Sequence, residues 1–250
     1  MFKYFVIPVI ILLHLTGCAS IPFQSAERVP IGKIEPGEVK ERFALMLPEK
    51  FRIINSMVFE YKGKAIYSFI GYSDVDTFEK TFTVAGLHQF GIKLFELTGN
   101  NDKTELRFVG EEFTKSFSPP AKGQQNATEL RFDFEEFTKR GDFAEAVADD
   151  IKKIYFNRLP GAGAEASAKK YEIVFFRNEN GATIEHVFAG AGNLLVEKRC
   201  TVDNIAVWSV YYYEYRVENG KLYPAGIILE NHKYNYRLII RLKEIMPLTS

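Results

Sequence analysis

From Phe51 to the end of the chain, apolar residues recur at every second position in short runs separated by tight polar turns. A period of two marks a strand that buries one face and wets the other. Met57, Phe59 and Tyr61 share a face opposite Glu60 and Lys62, and Lys62-Gly63-Lys64 turns the chain. Tyr67 and Phe69 share a face in the returning run, 65–73. Phe78, Lys80, Phe82 and Val84 alternate with Glu79, Thr81 and Thr83, which predicts a half-buried antiparallel strand. In the last run Tyr234, Tyr236, Leu238, Ile240 and Leu242 form one face, with Asn235, Arg237, Arg241 and Lys243 on the other. One-sided strands must lean on a common core. Asp142 to Phe156 is the one firm helix. Asp142 and Glu145 make a capping box. Phe143, Val147, Ile151 and Ile154 make one apolar stripe, and Lys152-Lys153 suit the C-terminal end of the dipole. A Gly/Ala/Ser-rich loop then runs to about Lys169. The expected fold class is mainly β (α+β): a curved antiparallel sheet or incomplete β-barrel of about eleven strands, with a helical lid over its apolar side.

The other end of the chain reads differently. Lys3 precedes an apolar run, Phe5–Leu15, too short for a membrane span and broken by Pro8 and His14. This is the pattern of a secretory signal. Leu15-Thr16-Gly17-Cys18 matches the bacterial lipobox. The match implies removal of residues 1–17, a diacylglycerol on the Cys18 sulfur and, in Gram-negative bacteria, a third acyl chain of the palmitate type on its new amine. Two or three chains give stable anchoring where one is marginal. Ala19 and Ser20, with no Asp after Cys18, imply the outer membrane. Residues 18–40 carry Pro22, Pro30, Pro36, Gly32 and Gly37 and read as a flexible tether. The domain is then 41–250. Within it Thr104–Lys115 recurs as Thr128–Lys139 with ten of twelve positions identical, a local tandem duplication.

Composition limits the function. The 32 basic and 32 acidic residues cancel, and no basic cluster stands out, so nucleic acid is not an expected partner. With Cys18 acylated, Cys200 has no partner in the chain, and it reads as a small buried apolar residue rather than a reactive thiol. His88, His186 and His232 lie in no catalytic motif, and Asp149-Asp150 diverge by about 100° on a helix and read as solvated surface. No catalytic, cofactor or metal site is expected. Aromatic residues make up 14% of the chain. They suit strands and they also line apolar cavities. Phe59, Tyr67, Phe69, Phe82, Trp208, Tyr211, Tyr213, Tyr236 and Leu238 are the candidate cavity residues. Each alone reads more readily as ordinary core, and as a set some of them are expected to face a cavity.

Lys80–Leu97, with Gly86-Leu-His-Gln-Phe-Gly91 and Lys93-Leu-Phe-Glu-Leu97, and Leu222-Tyr-Pro-Ala-Gly226 leading into Tyr236–Ile245, resemble the LolA/LolB-like superfamily of lipoprotein carriers and receptors. The likeness is greatest to an uncharacterised LolB-like outer-membrane lipoprotein branch. It implies an open β-barrel with a helical lid and a cavity for acyl chains. It implies an outer-membrane, lipid-anchored protein on the periplasmic face, with a lipid or lipoprotein acyl chain as ligand and a periplasmic carrier protein as a partner. Gly86–Gly91 corresponds to an apolar loop in which Leu87 and Phe90 either touch membrane or cargo or pack under the rim. A structural or assembly lipoprotein without ligand is the alternative expectation, and a hydrolase the third.

Overall fold

The computed structural model describes residues 21–111 and 142–248. The lipobox with Cys18, and all of the duplication except Thr104–Glu111, lie outside the described residues, as does the cap assigned to Asp142. Helix α1 (Pro36–Met46) precedes β1 (Lys50–Tyr61), β2 (Lys64–Asp76), β3 (Thr81–Leu87), β4 (Lys93–Gly99) and β5 (Thr104–Val109). Helix α2 (Asp142–Tyr155) leads to β6 (Glu165–Ala168), β7 (Glu172–Glu179), β8 (Ala182–Ala189) and β9 (Leu194–Val202). The chain ends with β10 (Ile205–Glu218), β11 (Lys221–Asn231) and β12 (Tyr236–Pro247).

All neighbouring strands are antiparallel, in the order β5-β4-β3-β2-β1-β12-β11-β10-β9-β8-β7-β6. The sheet is one open meander whose first and last strands meet in its middle. Its edges are β5 and the four-residue β6, and short edges leave few unpaired backbone groups. Sequence alternation missed β6. Its Glu-Ala-Ser-Ala is exposed throughout and is a strand only because it pairs with β7. Two-residue turns set the register. Asn180-Gly181 and Asn219-Gly220 both have positive φ, the type I′ geometry that matches strand twist. The alternation from Phe78 to Val84 is strand only from Thr81: residues 77–80 form a turn, and Phe78 is 78% exposed. Asp76 fixes that turn by accepting the Phe78 and Glu79 amides.

The core lies between the sheet's inner face and the two helices. Helix α1 begins with Pro36, whose missing N–H costs nothing in a first turn. It buries Val39 and Phe43, one turn apart. Phe43 meets Phe188 and Tyr215 edge-on. Helix α2 buries Phe143, Ala148, Ile151 and Ile154.

The N-terminal stretch corrects the tether reading. Residues 36–40 belong to α1, and the segment before it straps the sheet's outer face. Phe23 is buried over β10 and β11, stacked on Tyr213 at 5.3 Å, with the Arg241 guanidinium 4.6 Å from its ring centre. Gly226 makes the seat possible, because a Cβ there would stand 2.4 Å from the ring. Arg241 donates to the Pro22 carbonyl, and the Gln24 amide donates to Glu214. Ile31 and Ile34 pack against the core farther along.

Candidate functional site

The antiparallel registers build the site. Met57 lies opposite Ile240 on one side and Phe69 on the other. Phe59 lies opposite Leu238 and Tyr67. Six side chains of three strands therefore form one apolar floor, which Val84 and Phe95 extend onto β3 and β4. Gly86 lets the Phe95 ring lie flat across β3, for a Cβ there would meet it at 2.3 Å. Helix α2 forms the roof with Phe143, Ala146, Val147 and Ile151. Between floor and roof is a cavity of about 380 Å³. That lies within the range of about 300–1,000 Å³ usual for small-molecule sites.

Of the nine expected lining residues, Phe59, Tyr67, Phe69, Tyr236 and Leu238 line this cavity together. Four lie elsewhere. Phe82 is on the inner face but packs in the closed core beside Phe156. Trp208 is half-buried, with the Lys198 ammonium 5.7 Å from its ring centre. Tyr211 and Tyr213 pack on the opposite side, against Phe23 and Ile228. The reason is parity: Trp208, Val210 and Tyr212 point inward, so the odd positions between them point out. At Glu214, whose φ is 51°, the pairing skips a residue, and Tyr215 returns to the inner core.

The other expected site residues occupy the β3–β4 turn. Leu87 ends β3, half-buried, opposite Ile70. Phe90 stands at the tip, 86% exposed, its ring 5.1 Å from His88. Bonds from the His88 amide to the Ile92 carbonyl and from Gly91 to His88 hold the turn, with Gly91 at positive φ.

Sequence reasoning missed the polar wall. Asp150, expected as solvated surface, is buried and lines the cavity. The Tyr236 hydroxyl donates to its Oδ2 at 2.6 Å, and the Lys153 ammonium lies 3.3 Å from Oδ1. Asn231 Nδ2 donates to the Tyr236 oxygen at 3.1 Å. Burial raises the Asp150 carboxyl, while Lys153 and Tyr236 pull it back. The Tyr236 phenol is raised by burial and by the carboxylate beside it. Missed too was the fastening of α2. The Lys198 ammonium, fully enclosed, donates to the Lys153, Phe156 and Asn157 carbonyls at the helix end. Burial lowers it to about 7, with Arg158, Lys80 and Lys153 adding repulsion. His186 Nε2 bonds the Asn157 carbonyl at 2.9 Å, and the Tyr212 hydroxyl donates to Ile154. A carbonyl acceptor requires the Nε2–H tautomer, and burial holds His186 neutral, its pKa lowered to about 4. Cys200 is a free, buried thiol.

Among the described residues, no three His, Cys, Asp or Glu side chains converge as metal ligands, and no helix is long and apolar enough to cross a membrane.

No family model and no curated relative matches the sequence. Solved structures do. A LolA superfamily protein from Nitrosomonas europaea superposes with a TM-score of 0.51 at 8% identity, covering 87% of this chain and 95% of that one. A domain assigned as an outer membrane lipoprotein-sorting protein from Vibrio parahaemolyticus gives 0.44 at 10% identity, over 85% and 92% of the two chains. A DUF1329 family protein from Desulfovibrio piger gives 0.40 at 8%, over 84% and 90%. An open antiparallel sheet wrapped around its helices, matched nearly end to end by the first of these, is the LolA/LolB-like fold.

Proposed function

We propose that this chain is a lipid-anchored carrier or receptor of the cell envelope. It holds an acyl chain or similar amphiphile in the cavity under α2, in the transport or insertion of lipoproteins or lipids at the outer membrane. The cavity carries the reading. Its wall is mostly aliphatic and aromatic, and most of its polar groups gather on one side. Such a space is costly to leave to water and favourable to fill with hydrocarbon, at about 0.8 kcal/mol for each buried methylene. The anchor on Cys18 and the outer-membrane location rest on the lipobox. Phe90, on its fixed turn, is the side chain we assign to membrane or cargo contact.

Native mass spectrometry of the domain from Ala19 onward, gently purified from a bacterial host, tests the reading. A lipid-sized adduct is expected, released on denaturation and lost in Val147→Trp, which fills the cavity from the roof. A clean mass, with no uptake of added fatty alcohol, fatty acid or lipopeptide, refutes it and favours a structural lipoprotein.

A further inference from the structure

Apart from Tyr67 on β2, the polar groups of the cavity come from α2 and from the β11–β12 region. Helix α2 brings Glu145, Asp149, Asp150 and Lys153 to it, and the β11–β12 region brings Asn231 and Tyr236. Three carboxylates stand against the Lys153 ammonium and that of Lys152, which lies 4.0 Å from Asp149 at the exposed edge. The Lys153 ammonium is 3.3 Å from Asp150 and already paired with it. The Tyr236 hydroxyl is spent on Asp150, and one Asn231 N–H on Tyr236. Asn231 Oδ1 in turn accepts the Tyr234 amide. An ionised carboxylate has about four acceptor sites, so after these bonds the wall still offers acceptors. Its surplus charge is negative.

A head group entering this space must meet that wall. An anionic head would bring a further negative charge beside a buried carboxylate that burial already disfavours, where charges are screened far less than in water. A head that donates hydrogen bonds would find lone pairs waiting. Resting on the carrier reading above, we propose that the cavity selects amphiphiles with an uncharged or cationic, hydrogen-bond-donating head (an alcohol, an amide or an amine). It discriminates against free fatty acids and other carboxylate or phosphate heads. The apolar floor sets the affinity for the chain, and the wall sets the choice of head by repulsion as much as by attraction.

Displacement of N-phenyl-1-naphthylamine from the protein, by dodecanol, dodecylamine and dodecanoate below their micellar limits at neutral pH, tests this. The alcohol and the amine are expected to displace the probe at least about tenfold more tightly than the carboxylate. In Glu145→Gln/Asp149→Asn, two exposed positions whose change leaves the core alone, the handicap of dodecanoate should shrink about threefold or more. Dodecanoate competing as well as dodecanol in the unaltered protein, or an unchanged handicap in the folded double variant, overturns the selectivity and leaves the carrier reading standing. Probe bound and displaced by none of the three overturns both.

Discussion

Phe23→Ala separates a strapped N-terminus from a free tether. Burying a phenylalanine side chain contributes about 1.5–3 kcal/mol, and an aromatic pair adds about 0.5–1.5 kcal/mol. Phe23 has both, with Tyr213 as its partner. Against this stands the ordering of a few exposed residues, at about 1–2 kcal/mol each, which the Pro22 and Gln24 hydrogen bonds help offset. The ring's own share, about 2–3 kcal/mol at the lower end of that sum, shifts the ratio of docked to lifted states by roughly 30- to 150-fold. Removing the ring should make the lifted state dominant. Ile31, Ile34 and α1 stay in place, so global stability should change little. The assay is limited trypsin digestion at Arg28, an exposed site inside the strap, read by mass spectrometry. Cleavage should accelerate by roughly the same 30- to 150-fold. Gly226→Ala should give the same result from the other side of the contact, and the double variant should be no faster than either single one. Equal cleavage of all four proteins refutes the seat and restores the free tether.

The fastening of α2 predicts a pH dependence. His186 takes up a proton near 6.5 when unfolded but only near 4 when folded, so the unfolded state binds more protons between those values and stability falls as the pH drops through that window. The full shift corresponds to about 3 kcal/mol, and His186→Gln, which can still donate to Asn157, should lose most of that slope in urea titrations at pH 7 and pH 4.5. Gly86→Val should drive the Phe95 ring into the cavity and cost about 1–3 kcal/mol in chemical denaturation, with probe binding reduced at least tenfold. Beside the cavity, farther along the inner face of the sheet, Asn55 Nδ2, Tyr155 OH and Arg158 Nη2 lack partners around a void of about 10 Å³. That is space for one water, and a high-resolution crystal structure should show it bridging them.

What the sequence made legible, and what it did not, follows from the range over which each signal acts. Period-two alternation and the two-residue turn at Lys62-Gly63 are local, and they set Phe59 beside Tyr67 and Phe69, whereas Tyr236 and Leu238 join that row only through the long-range pairing of the first strand with the last. The stripe Phe143, Val147, Ile151 and Ile154 is local too, and it faces the sheet. Tyr211 and Tyr213 lie on the other face because strand parity, not aromatic density, decides which side a residue takes. Helix α1 has only Val39 and Phe43 as an inward signal, after a Pro/Gly-rich lead that resembles a tether. Asp149 and Asp150 show the limit most clearly. The turn of about 100° between neighbours was a sound reason to deny them a shared site, but no reason to leave both in solvent. It also means that when one faces solvent the other turns toward the sheet, and only the docking of α2 selects which one is buried.

The two ends of α2 are held by different physics. At its C-terminal end, Lys198, His186 and Tyr212 reach from three strands to the backbone carbonyls of residues 153–157. Helix ends leave carbonyls that must find donors, and buried donors at that point make release costly. Near the N-terminal end, Phe143 meets Phe95 edge-on at 5.2 Å, and Val147 lies over the cavity. Apolar contacts have no directional demand, and a ligand chain can replace them. A cavity that widens for its ligand should therefore lift the first two turns of α2 while the last turn stays fastened. Asp150 and Tyr236 lie between the two regimes, so this part of the polar wall stays in place while Glu145 moves with the roof above the chain.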